Sequence, residues 1–322
     1  MTLPDVESGE TARRERSYTR PMYSVAISVV SCLRANTRVN VVWVVDTGGI
    51  PGLDPTEGVA LTPGGGRMGT LANGAFDSQL LELANASSGR VVEVHVGDVE
   101  ALVSGLPKGS RATLAVMPAE QMPTHLWQAL LDRQRVCLDA QLDNGRIAAV
   151  QVHLDGHMEG ADESASSLLQ SSATSSQLGD QRLLTALVPV TRLAIGGGGP
   201  NAEAIEHAAR FLGWQVQRAA NPDTATGLML GLSPIDAAVV MGHDVEVSST
   251  ILAAALEGGA GYIGALGSMR MQQNRADWLA YRGITDLARV HGPAGIDINA
   301  RTPAEVAVSV VAEIVAVLNG PR

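Results

Sequence analysis

The sequence predicts an α/β protein in two parts, a mixed α/β part followed by one built on a parallel sheet. Three observations predict it. From Val190 to Leu318, short apolar strands alternate with longer amphipathic helices, and strands joined by helical crossovers form parallel sheets covered on both faces. Residues 193–212, LAIGGGGPNAEAIEHAARFL, run from a strand through four glycines into a helix, the layout of a phosphate cradle. Before residue 160 the alternation is irregular, and Asp143-Asn144-Gly145 between two apolar stretches signals a hairpin. That places antiparallel neighbours in a sheet of mixed strand direction.

Taken in order, residues 1–20, MTLPDVESGETARRERSYTR, are polar and charged and read as a flexible tail rather than a signal peptide. A mixed α/β domain spans 21–159. It opens with helical spacing at Met22, Ala26, Val29, Val30 and Leu33, then a buried strand over Val39–Val45. A second strand follows near 59–62. Asn73 then stands as N-cap of a helix with Phe76, Leu80, Leu83 and Ala84 on one face. Strands at 91–96 and 112–117, a helix near 125–132 and the hairpin complete this half. Residues 160–186 are rich in Ser and Ala with few large apolar groups and read as a linker. The Rossmann-like C-terminal domain spans 187–322, with strands at 190–195, 215–219, 237–241 and 262–265 and helices ending at Leu212 and over 249–257, 269–281 and 303–318. Its last helix has the clearest start: Thr302 as N-cap, Pro303 at the first helical position and Glu305 completing a capping box.

Composition narrows the function. With 33 acidic and 23 basic side chains the net charge is −10, which argues against nucleic-acid and anionic-membrane partners. Lys108 is the only lysine, so a G-K-[ST] phosphate loop is excluded and Schiff-base chemistry is disfavoured. Two cysteines, Cys32 and Cys137, lie far apart without C-x-x-C spacing, which suits a reducing cytoplasm. Both fall among apolar residues and read as core rather than nucleophiles.

The candidate ligand site starts at the glycines. Gly197, Gly199 and Ala202 fit the fingerprint G-x-G-x-x-G/A with Gly198 between them, and glycine there lets a pyrophosphate approach the backbone. The bland alternative is a tight strand-to-helix turn. Ligands of parallel sheets sit at the carboxyl ends of the strands, where this sequence also places Gly242-His243-Asp244 and Gly267-Ser268. His243 can hydrogen-bond a phosphate or ring and Asp244 can orient it or cap the next helix; equally, Asp244 and Ser248 can simply cap a helix with His243 a partly buried turn residue, and Ser268 can be an ordinary cap. Arg301, just before the capping box, can pair with a phosphate or with an acidic side chain across the sheet, and reads more as the structural partner.

One feature of a simple NAD enzyme is missing. The second strand ends Gln217-Arg218-Ala219-Ala220-Asn221, without the acidic residue that binds ribose hydroxyls. Arg218 either meets a 2′-phosphate or turns to solvent. His153, Asp155, His157 and Glu159 make an H-x-D-x-H-x-E run, which Gly156 interrupts; it reads as a solvated loop rather than a metal site.

The strings VVMGHDVEVSSTILAAALEGGAGYIGALGS and RVHGPAGIDINARTPAEVAVSVVAEIVA resemble the C-terminal domain of the XdhC/CoxI family, maturation factors for molybdenum hydroxylases such as xanthine dehydrogenase and carbon monoxide dehydrogenase. The likeness runs from Leu187 to the end. Earlier, VVDTGGIP and GRMGTLANGAFDSQLL are similar to the family's V-x-T-x-G-S-x-P and G-S-V-S-G-G-C-V-E segments. The family cysteine of that turn falls on Ala75, and a second falls near Lys108 or Gly109. The resemblance implies a cytoplasmic chaperone that carries the molybdenum cofactor, as molybdopterin or its dinucleotide, to a hydroxylase apoenzyme. A cysteine desulfurase is its second implied partner and a homodimer its implied state. Gly197, Gly198, Gly199, Ala202, His243, Asp244, Gly267 and Ser268 are the implied cofactor contacts, with Gly74 and Ala75 as a further anion site. The alternatives are an NAD(P)-dependent oxidoreductase and a diverged scaffold without cofactor.

Overall fold

A computed structural model describes residues 22–155, 160, 162–171 and 173–320; the expected tail lies outside them. The chain divides into two compact units between Val188 and Pro189. Among the described residues no helix is long and apolar enough to cross a membrane.

The first unit contains α1 (Met22–Arg34), β1 (Asn40–Asp46), β2 (Gly58–Leu61), β3 (Arg67–Gly69), α2 (Asp77–Leu83), β4 (Arg90–His95), α3 (Asp98–Ser104), β5 (Arg111–Pro118), α4 (Thr124–Leu131), β6 (Val136–Asp143), β7 (Arg146–Leu154), α5 (Glu163–Leu169), β8 (Ser175–Leu178) and β9 (Arg182–Leu187). Its nine strands form one sheet in the order β3-β2-β1-β5-β4-β7-β6-β9-β8. Every pairing is antiparallel, so the pairing is of one kind where a mixture was expected. The β6–β7 hairpin turns on Asn144 and Gly145, both at positive φ, the primed turn whose twist matches antiparallel strands.

Alternation along β1 feeds two cores. Val41, Trp43 and Val45 pack against α1 and α4, and the Trp43 indole N–H donates to Thr185 Oγ1 of β9 at 3.2 Å. Val42 and Val44 face Phe76, Leu80 and Leu83. Those last three sit on one helical face as expected, but the helix starts later than Asn73, which occupies a positive-φ turn instead of a cap. Buried Asn40 donates to the carbonyls of Leu83, Ala84 and Ala86, closing the end of α2.

The expected linker is a correction. Residues 163–187 supply α5, β8 and β9, and β9 pairs with β6 over six positions. Ladder pairing uses backbone groups, so small polar side chains do not prevent it. Ala165, Leu168 and Leu169 of α5 cover Cys137, Leu184 and Ala186. Burial pushes the Cys137 thiol up to about 11, which fits a core cysteine; Cys32 packs partly buried against the larger core.

The second unit contains β10 (Arg192–Gly196), α6 (Pro200–Phe211), β11 (Gln215–Ala219), α7 (Pro222–Leu230), β12 (Ala237–Val240), α8 (Val245–Glu257), β13 (Tyr262–Ala265), α9 (Met269–Tyr281), β14 (Val290–His291) and α10 (Pro303–Leu318). The five strands are parallel, in the order β11-β10-β12-β13-β14. Leu193, Ile195, Ala237 and Val239 face α6 and α10; Ala194, Ala238 and Val240 face α7, α8 and α9. The Rossmann-like reading therefore holds.

The α10 start has the expected capping box: Thr302 Oγ1 accepts from Glu305 N at 3.3 Å, and Glu305 Oε2 accepts from Thr302 N at 2.9 Å. Thr302→Ala is expected to lower stability by about 1 kcal/mol in urea unfolding. An unchanged midpoint and slope would show that the cap adds nothing.

Candidate functional site

Strand order in the second unit reverses between β10 and β12: the chain first adds β11 on one side of β10, then crosses back to add β12 on the other. A crevice opens at the carboxyl ends of two such strands. Its lips are Gly196–Gly199 and Met241–Asp244. The Met241 N–H donates to Gly196 O at 2.9 Å, and the Gly197 N–H to Ala219 O at 2.9 Å, so the glycine loop is stitched to strands on both sides.

The glycines have different reasons to be there. Gly197 has φ +129°, and a Cβ on it would lie 2.5 Å from Met241 O, so only glycine fits. Gly199 has φ +92° and is the N-cap of α6, with Pro200 at the first helical position. Around Gly198 and Gly199 nothing stands within 4 Å of where a Cβ would be. The loop roof is open. A glycine cap has no side-chain acceptor, and the N–H groups of Asn201 and Ala202 have no intrahelical one. Ala202 itself is buried against the sheet.

The other four helices of this unit are capped by side chains. Asn221 accepts from Thr224 N at 3.0 Å, Asp244 from Val247 N at 3.0 Å, Ser268 from Met271 N at 3.3 Å, and Thr302 caps α10. Asp244 and Ser268 thus have the capping role that competed with the ligand role. His243 is exposed on the lip of the crevice, and its ring makes no hydrogen bond among the described residues.

Sequence reasoning missed the residue on which these segments converge. Arg275 of α9 is 1% exposed. Its Nε donates to Ser248 Oγ at 3.0 Å, one terminal nitrogen to Leu266 O at 2.7 Å and Gln272 Oε1 at 3.3 Å, and the other to Gly242 O at 3.2 Å. Ser248 in turn donates to Asp244 O at 2.7 Å. One guanidinium thereby ties the ends of β12 and β13 together. The glycine of Y-I-G has a similar local cause: a Cβ on Gly264 would lie 2.6 Å from the Tyr262 hydroxyl, which donates to Glu313 Oε2 at 2.6 Å.

Arg218 is engaged by α6, its Nε 3.0 Å from Glu206 and a terminal nitrogen 3.6 Å from Glu203. Arg301 gives its backbone N–H to Glu305 Oε2 at 2.7 Å, and its exposed side chain makes no ion pair among the described residues, contrary to the pairing expected of it.

Gly74 and Ala75 belong to the first unit. Ala72, Asn73 and Gly74 all have positive φ, Ala75 is buried, and α2 begins only at Asp77, whose carboxylate pairs with Arg67. The negative charge favoured at that helix start is already supplied by the protein. Beneath the turn, Glu57 is 1% exposed; its Oε2 accepts from Ala72 N at 2.8 Å and Oε1 has no partner. Burial pushes this carboxyl up to about 7. His153 corrects another expectation: it lies buried in β7, 3.4 Å from Asp139, and Arg182 grips Asp139 with two bonds. His157 and Glu159 fall outside the described residues.

Residues 193–314 match the family model of the XdhC Rossmann domain. A solved protein described as a xanthine dehydrogenase from Bacillus halodurans is similar over 92% of this chain and 96% of its own, at 17% identity and a TM-score of 0.44. No curated protein sequence matches the chain. The match begins at Leu193 in β10 and encloses the glycine loop, the β12 and β13 ends and Arg275, so it is this C-terminal region, residues 193–314, that is similar to the XdhC Rossmann domain.

Proposed function

We propose that this protein binds the molybdenum cofactor and delivers it to a molybdenum hydroxylase of the xanthine dehydrogenase type, acting as a maturation chaperone in the cytoplasm. The observation that carries the reading is the open glycine cradle at the switch point of an XdhC Rossmann domain, where α6 alone among the helices of the unit's described residues lacks a side-chain cap.

The residues fit the organic end of the group. Molybdopterin carries a phosphate and its dinucleotide a pyrophosphate, either of which the N–H groups of Asn201 and Ala202 would hold, aided by the positive end of α6. Gly198 and Gly199 would let it come close to the backbone. His243 stands at the lip to donate a further hydrogen bond. When bound, the cofactor supplies the molybdenum centre of its eventual client; this chain's task is to hold it. The positions of the two family cysteines fit the metal end poorly, since Ala75 is a buried methyl and Lys108 pairs with Asp98 at 2.6 Å. Binding therefore rests on the phosphate end. A hydroxylase apoenzyme, a cysteine desulfurase and a second copy of the chain are the partners this reading carries.

Mass spectrometry of small molecules released from the freshly purified protein tests it. A released pterin, alone or as a dinucleotide, is the expected result. A nicotinamide dinucleotide would instead support an oxidoreductase, and no bound molecule from cells that make the cofactor would favour a diverged scaffold.

A further inference from the structure

Arg275 is buried without a counter-charge: none of its hydrogen bonds goes to a carboxylate, and it forms no ion pair among the described residues. Buried charges are ordinarily paired. This one lies under the carboxyl edge of the sheet and also lines a cavity of about 220 Å³ between α8, α9 and the end of β14. Its terminal nitrogens donate to the carbonyl oxygens of Gly242 and Leu266. Gly242 and Gly267, at φ +150° and +136°, let the chain turn there. A Cβ on Gly267 would sit 3.0 Å from Met271 and 3.5 Å from Arg275. Two acceptor oxygens are thus engaged by a cation at an edge where an anion is to be held.

We infer that Arg275 is the positioning residue and counter-charge for a phosphate-bearing ligand at this edge, setting its preference for anionic over uncharged ligands. The inference rests on the cradle reading above and deepens it: the ligand's charge is balanced by a side chain it does not displace, and not by the helix terminus alone. Desolvation, which holds the guanidinium below its ordinary pKa, is the cost that a bound anion offsets.

The test is calorimetric titration of the full-length protein with cytidine 5′-diphosphate and with cytidine. Arg275→Met is expected to weaken the diphosphate about 30-fold or more and to leave cytidine within about twofold, with a shallower dependence of diphosphate affinity on salt. Ser248→Ala, which removes one acceptor and no charge, should leave the ratio of the two affinities unchanged. Should Arg275→Met fail to fold, Arg275→Gln, neutral and with its amide nitrogen about where Nε now donates to Ser248 Oγ, gives the same readout. Equal loss of both probes, or an unchanged diphosphate affinity, overturns the inference while leaving the cradle reading standing. Absence of diphosphate binding by the unaltered protein overturns both.

Discussion

Gly197→Val is expected to destabilise the second unit by about 2–6 kcal/mol, the sum of roughly 1–3 for a non-glycine residue forced to positive φ and 1–3 for overpacking. Its Cβ would lie 2.5 Å from Met241 O and 2.6 Å from the Met241 side chain. Neither can retreat easily, because the Met241 N–H is held by Gly196 O. Loss of ligand binding should follow, since the loop that breaks is the one that presents the helix start. Gly199→Val separates the two effects. Its side chain would meet open space, so only the backbone term remains, about 1–3 kcal/mol, while the added methyls stand where a phosphate would approach. Urea unfolding should therefore rank Gly197→Val well below Gly199→Val in stability, and ligand titration should find both inactive. Equal stabilities would mean that the contact with Met241 does not constrain the loop.

Glu57→Gln is expected to raise stability by about 1–3 kcal/mol at pH 8 and to do little at pH 4. Glu57 has a folded pKa of about 7 against an ordinary value of 4.5, chiefly because burial disfavours its charged form, with Asp54 adding repulsion. The folded state therefore binds the proton more tightly than the unfolded chain. Stability falls as pH rises through the window from about 4.5 to 7, by about 1.4 kcal/mol per pKa unit, and is level above it. Glutamine keeps an acceptor for the Ala72 N–H and removes the charge, but leaves an amide where Oε1 now lacks a partner, which trims the gain. Unfolding free energies of both proteins at pH 4, 6 and 8 check this. A constant difference across the series would assign the effect to packing rather than ionisation.

Where the sequence carries a period and a cap, the fold is legible to the residue. Met269–Tyr281 and Pro303–Leu318 are helices over their expected lengths, and Gln215–Ala219 and Tyr262–Ala265 are strands over theirs. Helix α7 was readable in principle, since Asn221-Pro222 is the same start signal as Thr302-Pro303; its weak apolar face hid it. The stretch 163–187 defeats composition because Ser and Gln in β8 occupy an edge strand, where one ladder of backbone bonds suffices.

That the glycine loop and the two neighbouring strand ends share one sheet edge was legible, because strands alternating with helices run parallel. Whether Asp244 and Ser268 bind or cap was not, since one residue type serves both roles. Arg275 was invisible for a simpler reason. In MRMQQNRADW it looks like one more polar residue of an exposed helix face, and only the approach of the Gly242 and Leu266 carbonyls from distant strands shows that it is buried. Glu57 is hidden likewise, its burial set by a turn fifteen residues on.

In the proposed role, the loop from Gly196 to Gly199 anchors the phosphate end of a carried cofactor. Titration of the purified protein with molybdopterin and with its cytosine dinucleotide, beside the Gly199→Val variant, measures it most directly. Saturable binding by the unaltered protein and its loss in the variant are the expected results. Binding unaffected by Gly199→Val, or no binding by either protein, would contradict that role.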